Sequence, residues 1–275
     1  MVSLMDDSGR FREFEHSGWQ SIPTEYHEAF GSLTSQAIGP LLDAVRIKKG
    51  VKLLDIASGP GYVAAMATRR GALVVGVDFS AAMVEKARQV HPGVEYREGD
   101  AEALPFGNGL FDATVMNFGI LHLSYPEKAL LEAQRVLRSG GRFAFSVWAK
   151  PEESIAFEIV LQAVTLYGEP RIDLPQGPPF FLFSDPEECE RGLRLAGFEE
   201  PKIRKIAQVW RLPAEDGLFN AMKDSTVRTG GLLRAQKPTV LEKIRKAIRE
   251  EVKKFQKGDF VEFPMAALIA SAIKP

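Results

Sequence analysis

The chain has 275 residues, of which 45% are hydrophobic and 26% are charged, a composition that supports one substantial core. Its 35 basic and 36 acidic side chains nearly cancel, so we expect no nucleic-acid partner, since no general positive field exists to attract a polyanion. A single cysteine, Cys189, excludes an internal disulfide and a cysteine-cluster metal site.

The N-terminus does not resemble a signal peptide. The most apolar stretch, residues 264–273, is about half the roughly 20 residues that a membrane span requires. We therefore expect a cytoplasmic protein without a membrane span.

The N-terminal segment is predicted to change character near residue 20. Residues 1–20 are polar with scattered aromatic side chains and no clear period, so we expect them to be loose at the start. Residues 21–45 have a helical pattern, which Pro23 and Pro40 are predicted to divide into two short helices.

Strands and helices then alternate along the chain. The apolar runs predict strands at residues 52–56, 73–78, 94–98, 111–117 and 142–148. The intervening segments predict helices at residues 62–70, 80–90 and 127–137, the last one stopped by Gly140-Gly141. This alternation predicts an α/β fold with a doubly wound parallel sheet.

The alternation ends after residue 148. Helices are predicted at residues 154–167 and 186–196, and strands at 202–211 and 260–274. Residues 214–257 between these strands form a long insertion, with Thr229-Gly230-Gly231 as a candidate hinge. The insertion ends in an amphipathic helix whose other face has mixed charge, so we expect that face to be solvated rather than to bind an anion. The apolar positions of this helix recur at helical spacing: Leu241, Ile244, Ile248, Val252 and Phe255.

A glycine-containing loop follows the first strand of the alternating region. Gly59 and Gly61 allow backbone to approach a ligand closely, although a tight turn without a ligand also fits, as does a dinucleotide site of the G-x-G-x-x-A type. Asp78 ends the next strand, about 20 residues further on, where a carboxylate can accept bonds from ribose hydroxyls. Asp55 precedes the glycines and would repel a pyrophosphate. The sequence therefore favours an adenosine-containing cofactor that carries an ammonium group.

Five motifs extend this pattern in a fixed order: DIASGPG, VVGVDFS, GDAEALPF, FDATVMNFGILH and VLRSGGRFAFSVW. Together they make residues 50–149 resemble class I S-adenosylmethionine-dependent methyltransferases, similar to those of ubiquinone, menaquinone and other small molecules. The resemblance implies a Rossmann-like seven-stranded sheet, six strands parallel and one antiparallel near the C-terminus, with helical cap insertions. It implies S-adenosylmethionine as cofactor, S-adenosylhomocysteine as product and a small-molecule acceptor.

The resemblance also implies a set of cofactor-binding residues at the ends of the strands. The methionine moiety would be held near Asp55, Ala57, Ser58, Gly59 and Gly61, with Asn117 lining the same side. The adenosine would be held by Asp78 at the ribose and by Phe79, Met83, Asp100 and Ala101 around the adenine. Ala57 stands where the family often has glycine, and we expect its backbone to keep a negative φ.

Methyl transfer from a sulfonium mainly requires alignment of the reacting atoms. A general base is needed for a hydroxyl, an acidic carbon or a protonated amine. His122, just after the fourth strand, is the candidate base, with a structural histidine as the alternative. Trp19, Tyr26 and Phe30 would line the acceptor pocket or pack the cap onto the core. We expect no metal ion.

The domain organisation follows from these assignments. We expect a helical cap at residues 1–45, a cofactor-binding core at 46–213 and 258–275, and a mobile acceptor cap formed by 214–257 together with residues 19–45. The alternative for 214–257 is a static surface elaboration that buries its apolar stripe permanently, for example at a dimer interface. Two alternatives to methyl transfer remain, namely a fold relative that binds S-adenosylmethionine without transferring a methyl group, and a nicotinamide-dependent oxidoreductase. We expect a monomer or homodimer.

Overall fold

A mixed β-sheet organises the chain in a computed structural model that describes residues 7–169 and 172–275. Its strands, in chain order, are β1 (Lys52–Ile56), β2 (Leu73–Asp78), β3 (Glu95–Glu98), β4 (Phe111–Asn117), β5 (Leu137–Trp148), β6 (Glu199–Pro213), β7 (Gln256–Lys257) and β8 (Phe260–Ile273). The α-helices are α1 (Asp7–Ser21), α2 (Pro23–Thr34), α3 (Ile38–Ala44), α4 (Tyr62–Arg69), α5 (Ala81–Val90), α6 (Pro126–Val136), α7 (Ile155–Tyr167), α8 (Pro186–Leu195), α9 (Gly217–Asp224), α10 (Arg228–Arg234) and α11 (Pro238–Val252).

The strand order is β3-β2-β1-β4-β5-β8-β6, with the short β7 pairing with β8 at its side. Neighbouring strands from β3 to β5 are parallel. β8 runs antiparallel to both β5 and β6, so β6 has the direction of the first five strands. Within the described residues, the predicted path of six parallel strands and one antiparallel strand is confirmed, and β7 adds one short pairing.

The order of the strands reverses between β1 and β4. β2 and β3 extend to one side of this pair and β5 to the other. In such a sheet a crevice opens beyond the carboxyl ends of the strands, at the point of reversal. The loops after β1 and β4 therefore lie side by side, and the register pairs Asp55 with Val115 near their ends.

The core explains why these segments are strands. β1 and β4 sit in the middle of the sheet, and most of their residues are buried. Central strands that are covered on both faces consist of continuous apolar runs. For this reason the positions of these strands are predictable from the sequence. Leu53, Leu54, Phe143 and Phe145 are all fully buried in the main cluster.

The N-terminal segment differs from its prediction. α1 begins at Asp7, so the expectation of a loose start is wrong from that residue onward, and residues 1–6 lie outside the described residues. Phe11, Glu15 and Trp19 form the buried face of α1, four residues apart as helix geometry requires. Because Glu15 lies in the middle of this face, the apolar helical pattern of α1 is interrupted in the sequence.

Residues 21–45 contain the predicted pair of helices. Pro23 is the first residue of α2, as expected for a residue without a backbone N–H. The division between α2 and α3 is a short 3₁₀ turn at Ser35–Ala37 rather than Pro40. Pro40 lies in the first turn of α3, where backbone N–H groups have no partner within the helix, so a proline is tolerated.

The predicted helix stop at Gly140-Gly141 is wrong. α6 ends at Val136 and the chain enters β5 directly at Leu137. Both glycines lie inside β5, where the register with β4 shifts and Gly140 has a φ of 73°. A glycine in this conformation is typical of a β-bulge, so the two residues bend a strand.

The insertion has three α-helices in the described structure, α9, α10 and α11, followed by a 3₁₀ turn at Lys253–Phe255. Ile244, Ile248 and Val252 of α11 are buried in the main core, and α11 packs against α7, so these three positions of the predicted apolar stripe are confirmed. Leu241 is only partly buried, and Phe255 lies beyond α11 in a 3₁₀ turn, where it packs against the core. The predicted hinge is wrong, because Thr229–Gly231 lies within α10 and is buried. A Cβ on Gly231 would lie 2.8 Å from Cζ of Phe14, so this glycine permits close packing of α10 on α1.

No helix in the described part of the chain is both long enough and apolar enough to span a bilayer.

Candidate active site at the carboxyl edge of the sheet

A cleft lies at the predicted point, beyond the carboxyl ends of β1, β2, β3 and β4. Its empty space, counted out to the open mouth, is about 850 Å³. The lining contains ten of the eleven residues implied for the cofactor: Asp55, Ala57, Ser58, Gly59, Asp78, Phe79, Met83, Asp100, Ala101 and Asn117. The topology thus brings together residues that are up to 62 positions apart in the sequence.

Gly61 is the implied residue that lies outside this lining. It is the left-handed residue before α4, with a φ of 81°, and a Cβ there would collide with the ring of Tyr96. Gly59 also has a positive φ, of 50°, but open space lies where its Cβ would be. Gly61 therefore shapes the turn, whereas Gly59 gives a ligand access to the backbone.

The backbone of Ala57 has a φ of 52°, so the expectation of a negative φ is wrong. The nearby Phe118 also has a positive φ, of 55°. Non-glycine residues in this region are strained by about 1–2 kcal/mol. Both residues line the cleft, and such strain concentrates at functional sites because the surrounding fold must hold it in place.

Asp55 lies at the base of the cleft and is fully buried. Its Oδ2 accepts a hydrogen bond of 2.9 Å from the Ala64 amide, whereas Oδ1 has no partner in the described residues. Burial raises the pKa of Asp55 to about 8, against the lowering effect of that hydrogen bond. The nearby Asp78 carboxylate raises it further. A buried acid without a countercharge is prepared for a positively charged group.

Asp78 ends β2 and links two backbone segments. Its Oδ2 accepts from the Gly59 amide at 2.8 Å and its Oδ1 from the Ser80 amide at 3.0 Å. Burial raises the pKa of Asp78 to about 6, and these two hydrogen bonds oppose the shift. The carboxylate therefore holds the glycine loop in position while it faces the cleft.

The opposite end of the cleft is formed by residues after β2 and β3. Phe79 and Met83 provide its apolar wall. The Asp100 carboxylate accepts from the Glu102 amide at 2.9 Å and pairs with the Arg12 guanidinium at 2.6 Å. Because Arg12 belongs to α1, this helix reaches across the cleft.

Asn117 is fixed at the end of β4. Its side-chain amide donates to the carbonyl of Thr34 at 3.2 Å, and its Oδ1 accepts from the Ser146 hydroxyl at 2.6 Å. Asn117 therefore ties β4 to both β5 and the end of α2.

A second, smaller cavity adjoins the cleft, and its empty space, counted out to its mouth, is about 400 Å³. Trp19, Tyr26, Phe118 and His122 line both spaces. The second cavity is otherwise bounded by Phe30, Trp148, Phe157, Phe180, Thr226, Arg228 and Thr229. The structure thus brings Trp19, Tyr26 and Phe30, the residues expected at an acceptor pocket, to one cavity next to the cofactor cleft.

His122 lies at the boundary between the two spaces. Its Nδ1 is 3.0 Å from Oε2 of Glu15, and its ring packs edge-on against the Trp19 ring at 4.8 Å. Glu15 is fully buried and also accepts from the Trp19 indole N–H at 3.0 Å. The side chain of Arg228 reaches to 4.0 Å from the other Glu15 oxygen.

Sequence reasoning missed Glu15 and Arg228. A signal for Glu15 exists, since an acid in the centre of the apolar stripe Phe11–Trp19 needs a buried partner. Arg228 gives no such signal, because its position depends on how the insertion folds back onto α1.

α1 forms a roof over the cleft. The Gln20 side chain accepts from the Ser80 hydroxyl at 2.7 Å and from the Ala82 amide at 2.8 Å. Trp19, Ile22 and Met83 form an apolar cluster with Val227 of the insertion. The N-terminal helix and the insertion therefore meet above the site.

Comparison with known proteins gives the family of the chain. The family model described as "Methyltransferase domain" matches residues 54–145. A demethylmenaquinone methyltransferase from Clavibacter sepedonicus is 34% identical over 185 residues, which cover 63% of this chain and 73% of that protein. The chain belongs to the class I S-adenosylmethionine-dependent methyltransferases.

Two further relatives show how much of the chain is similar to known methyltransferases. A demethylmenaquinone methyltransferase from Paenarthrobacter aurescens (strain TC1) is 36% identical over 111 residues, 40% of this chain and 44% of that protein. The chain thus spans about half the length of this curated relative. The structure of Haemonchus contortus phosphoethanolamine N-methyltransferase 2, in complex with phosphomonomethylethanolamine and S-adenosylhomocysteine, has a TM-score of 0.60 and 20% identity. That likeness covers 96% of this chain and 60% of the other, and it shows a shared fold.

No group of three or more histidine, cysteine or acidic side chains arranged to hold a metal ion occurs in residues 7–169 and 172–275.

Proposed function

We propose that this protein transfers a methyl group from S-adenosylmethionine to a small-molecule acceptor. The observation that carries the proposal is the buried Asp55 carboxylate, which has an unpartnered oxygen at the base of the cleft. Membership of the methyltransferase family and the order of residues around the cleft support the same conclusion.

The residues present fit the groups of this cofactor. An ammonium group would complete the hydrogen bonding of Asp55 and offset its charge. Open space above Gly59 leaves room for a ligand beside the backbone. The two ribose hydroxyls suit the remaining acceptor capacity of Asp78, and the apolar wall of Phe79 and Met83 suits a purine ring.

The other implied residues would complete the cofactor site. The backbone at Ala57 and Ser58 would contact the methionine moiety, and Asn117 would line the same side. At the adenine end, Ala101 contributes backbone, and Asp100 is the acceptor for the exocyclic amine. Arg12 would then lie at the rim of that end, because it already pairs with Asp100.

When bound, S-adenosylmethionine supplies a methyl group that its sulfonium charge has already activated. The chain's own task is to hold the acceptor in line and to exclude water. The rings of Trp19, Tyr26 and Phe118 serve both purposes, since they line both spaces and surround the place where the two adjoin. His122, at the boundary, would take a proton from an acceptor that carries one.

The proposal includes a domain organisation and a setting. Residues 1–45 and 214–257 act as caps on a core formed by 46–213 and 258–275, and the contact of Gly18 with Val227 supports a joint cap. We place the protein in the cytoplasm, as a monomer or homodimer. The sole cysteine, Cys189, is a buried free thiol, which suits a reducing compartment.

Titration calorimetry with S-adenosylhomocysteine tests the proposal. Asp78→Ala should weaken binding by about 1.5–3 kcal/mol, the usual value of hydrogen bonds to a charged group. Asp43→Ala, which removes an exposed carboxylate of α3, should bind like the wild type. Unchanged affinity of Asp78→Ala, or binding of a nicotinamide dinucleotide in place of S-adenosylhomocysteine, would contradict the proposal.

A further inference from the structure

His122 is a titratable group in the lining of the second cavity. His122 lines this cavity as well as the cofactor cleft. Its Nδ1 is engaged by Glu15, whereas its Nε2 makes no hydrogen bond to any residue of the described structure. A histidine at the boundary of two adjoining spaces can contact a molecule in either one.

Glu15 determines which ring nitrogen of His122 carries the proton. A carboxylate only accepts hydrogen bonds, so the contact of 3.0 Å requires a proton on Nδ1 of His122. In the neutral ring Nε2 is then the acceptor, which is the form that a general base needs. The indole N–H of Trp19 holds the same carboxylate oxygen, so the orientation of Glu15 is itself fixed.

Arg228 completes the charge balance around this pair. Its Nε lies 4.0 Å from Oε1 of Glu15, and its guanidinium packs over the rings of Phe11 and Phe180. Asp78 is the other charged group that acts on His122. Because a buried carboxylate without a cation would be costly, Arg228 offsets the charge of the Glu15 carboxylate.

The walls of the second cavity indicate the shape of its occupant. They are mostly aromatic rings, and Phe118 and Trp148 are stacked with their centres 4.0 Å apart. The polar groups in the lining are those of His122, Arg228 and two threonines, together with the Tyr26 hydroxyl and the indole N–H groups of Trp19 and Trp148. Rings of this kind favour a flat, apolar molecule, and a single basic nitrogen among them favours one that presents an acidic hydrogen there.

We propose that the second cavity binds a planar aromatic acceptor through its ring, with a ring hydroxyl at Nε2 of His122, and that Glu15 is the positioning residue of this base. This inference rests on the proposed function. In the reaction the hydroxyl proton passes to Nε2 and the freed oxygen pair forms the new bond to the methyl carbon. The bond from that carbon to sulfur breaks, its electron pair stays on sulfur, and the products are an aryl methyl ether and a neutral thioether. The imidazolium then gives its proton to water.

The ionisation of para-nitrophenol, a coloured phenol, tests this inference without turnover. We expect it to bind in the presence of S-adenosylhomocysteine, with an apparent pKa about one unit or more below its value in solution, since the imidazolium paired with Glu15 stabilises the phenolate. His122→Asn should abolish the shift and Glu15→Gln should reduce it. A glutamine can donate to Nδ1, which would place the proton on Nε2 and remove the acceptor.

Matched controls separate positioning from folding. Glu13→Gln changes an exposed acid of the same helix, and His91→Asn changes a histidine outside both linings; both should keep the full shift. Glu15→Gln keeps the size of the side chain but leaves Arg228 without its carboxylate, so it should melt lower than the wild type while staying folded at the assay temperature. Nitrogen NMR of the wild type should find the proton of neutral His122 on Nδ1, and this measurement needs no variant.

The outcomes distinguish the two proposals. Absence of nitrophenol binding, a shift unchanged in Glu15→Gln, or a proton of neutral His122 on Nε2 would overturn the inference. If S-adenosylhomocysteine fails to bind but the pKa shift of nitrophenol is still seen in its absence, the proposed function would be overturned. The inferred role of His122 as a base would then still hold.

Discussion

Two carboxylates, Asp55 and Asp78, lie close together at the base of the cleft, and burial raises the pKa of both, to about 8 and about 6. In the free protein they therefore carry protons over part of the neutral range. A ligand with an ammonium group lowers the pKa of a carboxylate that it contacts. Binding of such a ligand must then release protons.

We expect the affinity for S-adenosylhomocysteine to rise with pH between about 6 and 8. The slope should reach about tenfold per pH unit where one proton is released, and it should level off above the pKa of free Asp55. Calorimetry in two buffers with different ionisation enthalpies measures the protons directly. Asp55→Asn should bind more weakly and lose most of the dependence above pH 6, and a slope equal to that of the wild type would show that Asp55 does not face the ammonium group.

Ala57 shows a feature that spacing alone cannot reveal. Its position in the loop was predictable from the motif, but its positive φ was not, because alanine normally avoids that region. The fold imposes this conformation through the turn between β1 and α4, whose other left-handed positions are glycines.

Ala57→Gly should stabilise the ligand-free protein by up to about 1 kcal/mol. Relief of about 1–2 kcal/mol of left-handed strain is offset in part by the greater freedom of glycine in the unfolded chain. Chemical denaturation measures the free energy of unfolding. Ala82→Gly, on α5 at a position with ordinary helical geometry, is the matched control and should destabilise. A loss of stability in Ala57→Gly would mean that the methyl group contributes more through packing than the strain costs.

At the level of elements, the predictions succeeded where one pattern dominates. β1, β2 and β4 are apolar runs in the middle of a parallel sheet, and α5 has a serine cap followed by apolar residues in phase. α1 was missed because its buried face includes Glu15, whose partner His122 is 107 positions away. Long-range pairing of this kind leaves no local signal.

An ion cluster joins two helices of the insertion. The Asp216 carboxylate, just before α9, accepts from the guanidinium groups of Arg245 and Arg249 on α11, the latter at 2.6 Å. These hydrogen bonds hold the pKa of Asp216 at about 2, below its usual range. The stabilisation is therefore fully present above a pH of about 4 and is lost as the pH falls through about 2.

Asp216→Asn should lower the free energy of unfolding by about 1–2 kcal/mol at neutral pH, because charge-assisted hydrogen bonds become neutral ones. The difference between variant and wild type should shrink as the pH approaches 2. Denaturation at several pH values measures it, with Asp224→Asn as a control on the same helix. A difference that stays constant down to low pH would show that the charge of Asp216 is not its source.

For the molecule as a whole, topology made the cofactor cleft predictable and left the second cavity largely undetermined. The carboxyl ends of parallel strands meet at one edge whatever the details of packing, so the positions of Asp55, Asp78 and Asn117 followed from the strand assignments. The second cavity depends on how α1, α2, α7 and α10 pack together. That packing is set by side-chain shape across distant segments, such as the contact of Gly18 with Val227.

The helices of the cap differ in how firmly they are attached to the core. α1 is attached over the cleft through side-chain bonds such as those of Gln20 and Arg12, whereas α11 buries its apolar stripe in the main core. Opening of α1 would break few backbone bonds to the rest of the fold, while opening of α11 would expose Ile244, Ile248 and Val252. We therefore expect amides in α1 to exchange quickly without ligand and to become protected when cofactor product and acceptor are both present.

Hydrogen exchange measured by mass spectrometry resolves these segments. Amides of α11 should exchange slowly in every state and serve as the internal control. In Gln20→Ala, which removes the acceptor of Ser80 and Ala82, α1 should exchange faster without ligand than in the wild type. Slow exchange of α1 in the free protein, with no change on adding both ligands, would mean that the roof is a fixed wall, and the acceptor would then have to enter through the open mouth of the cleft.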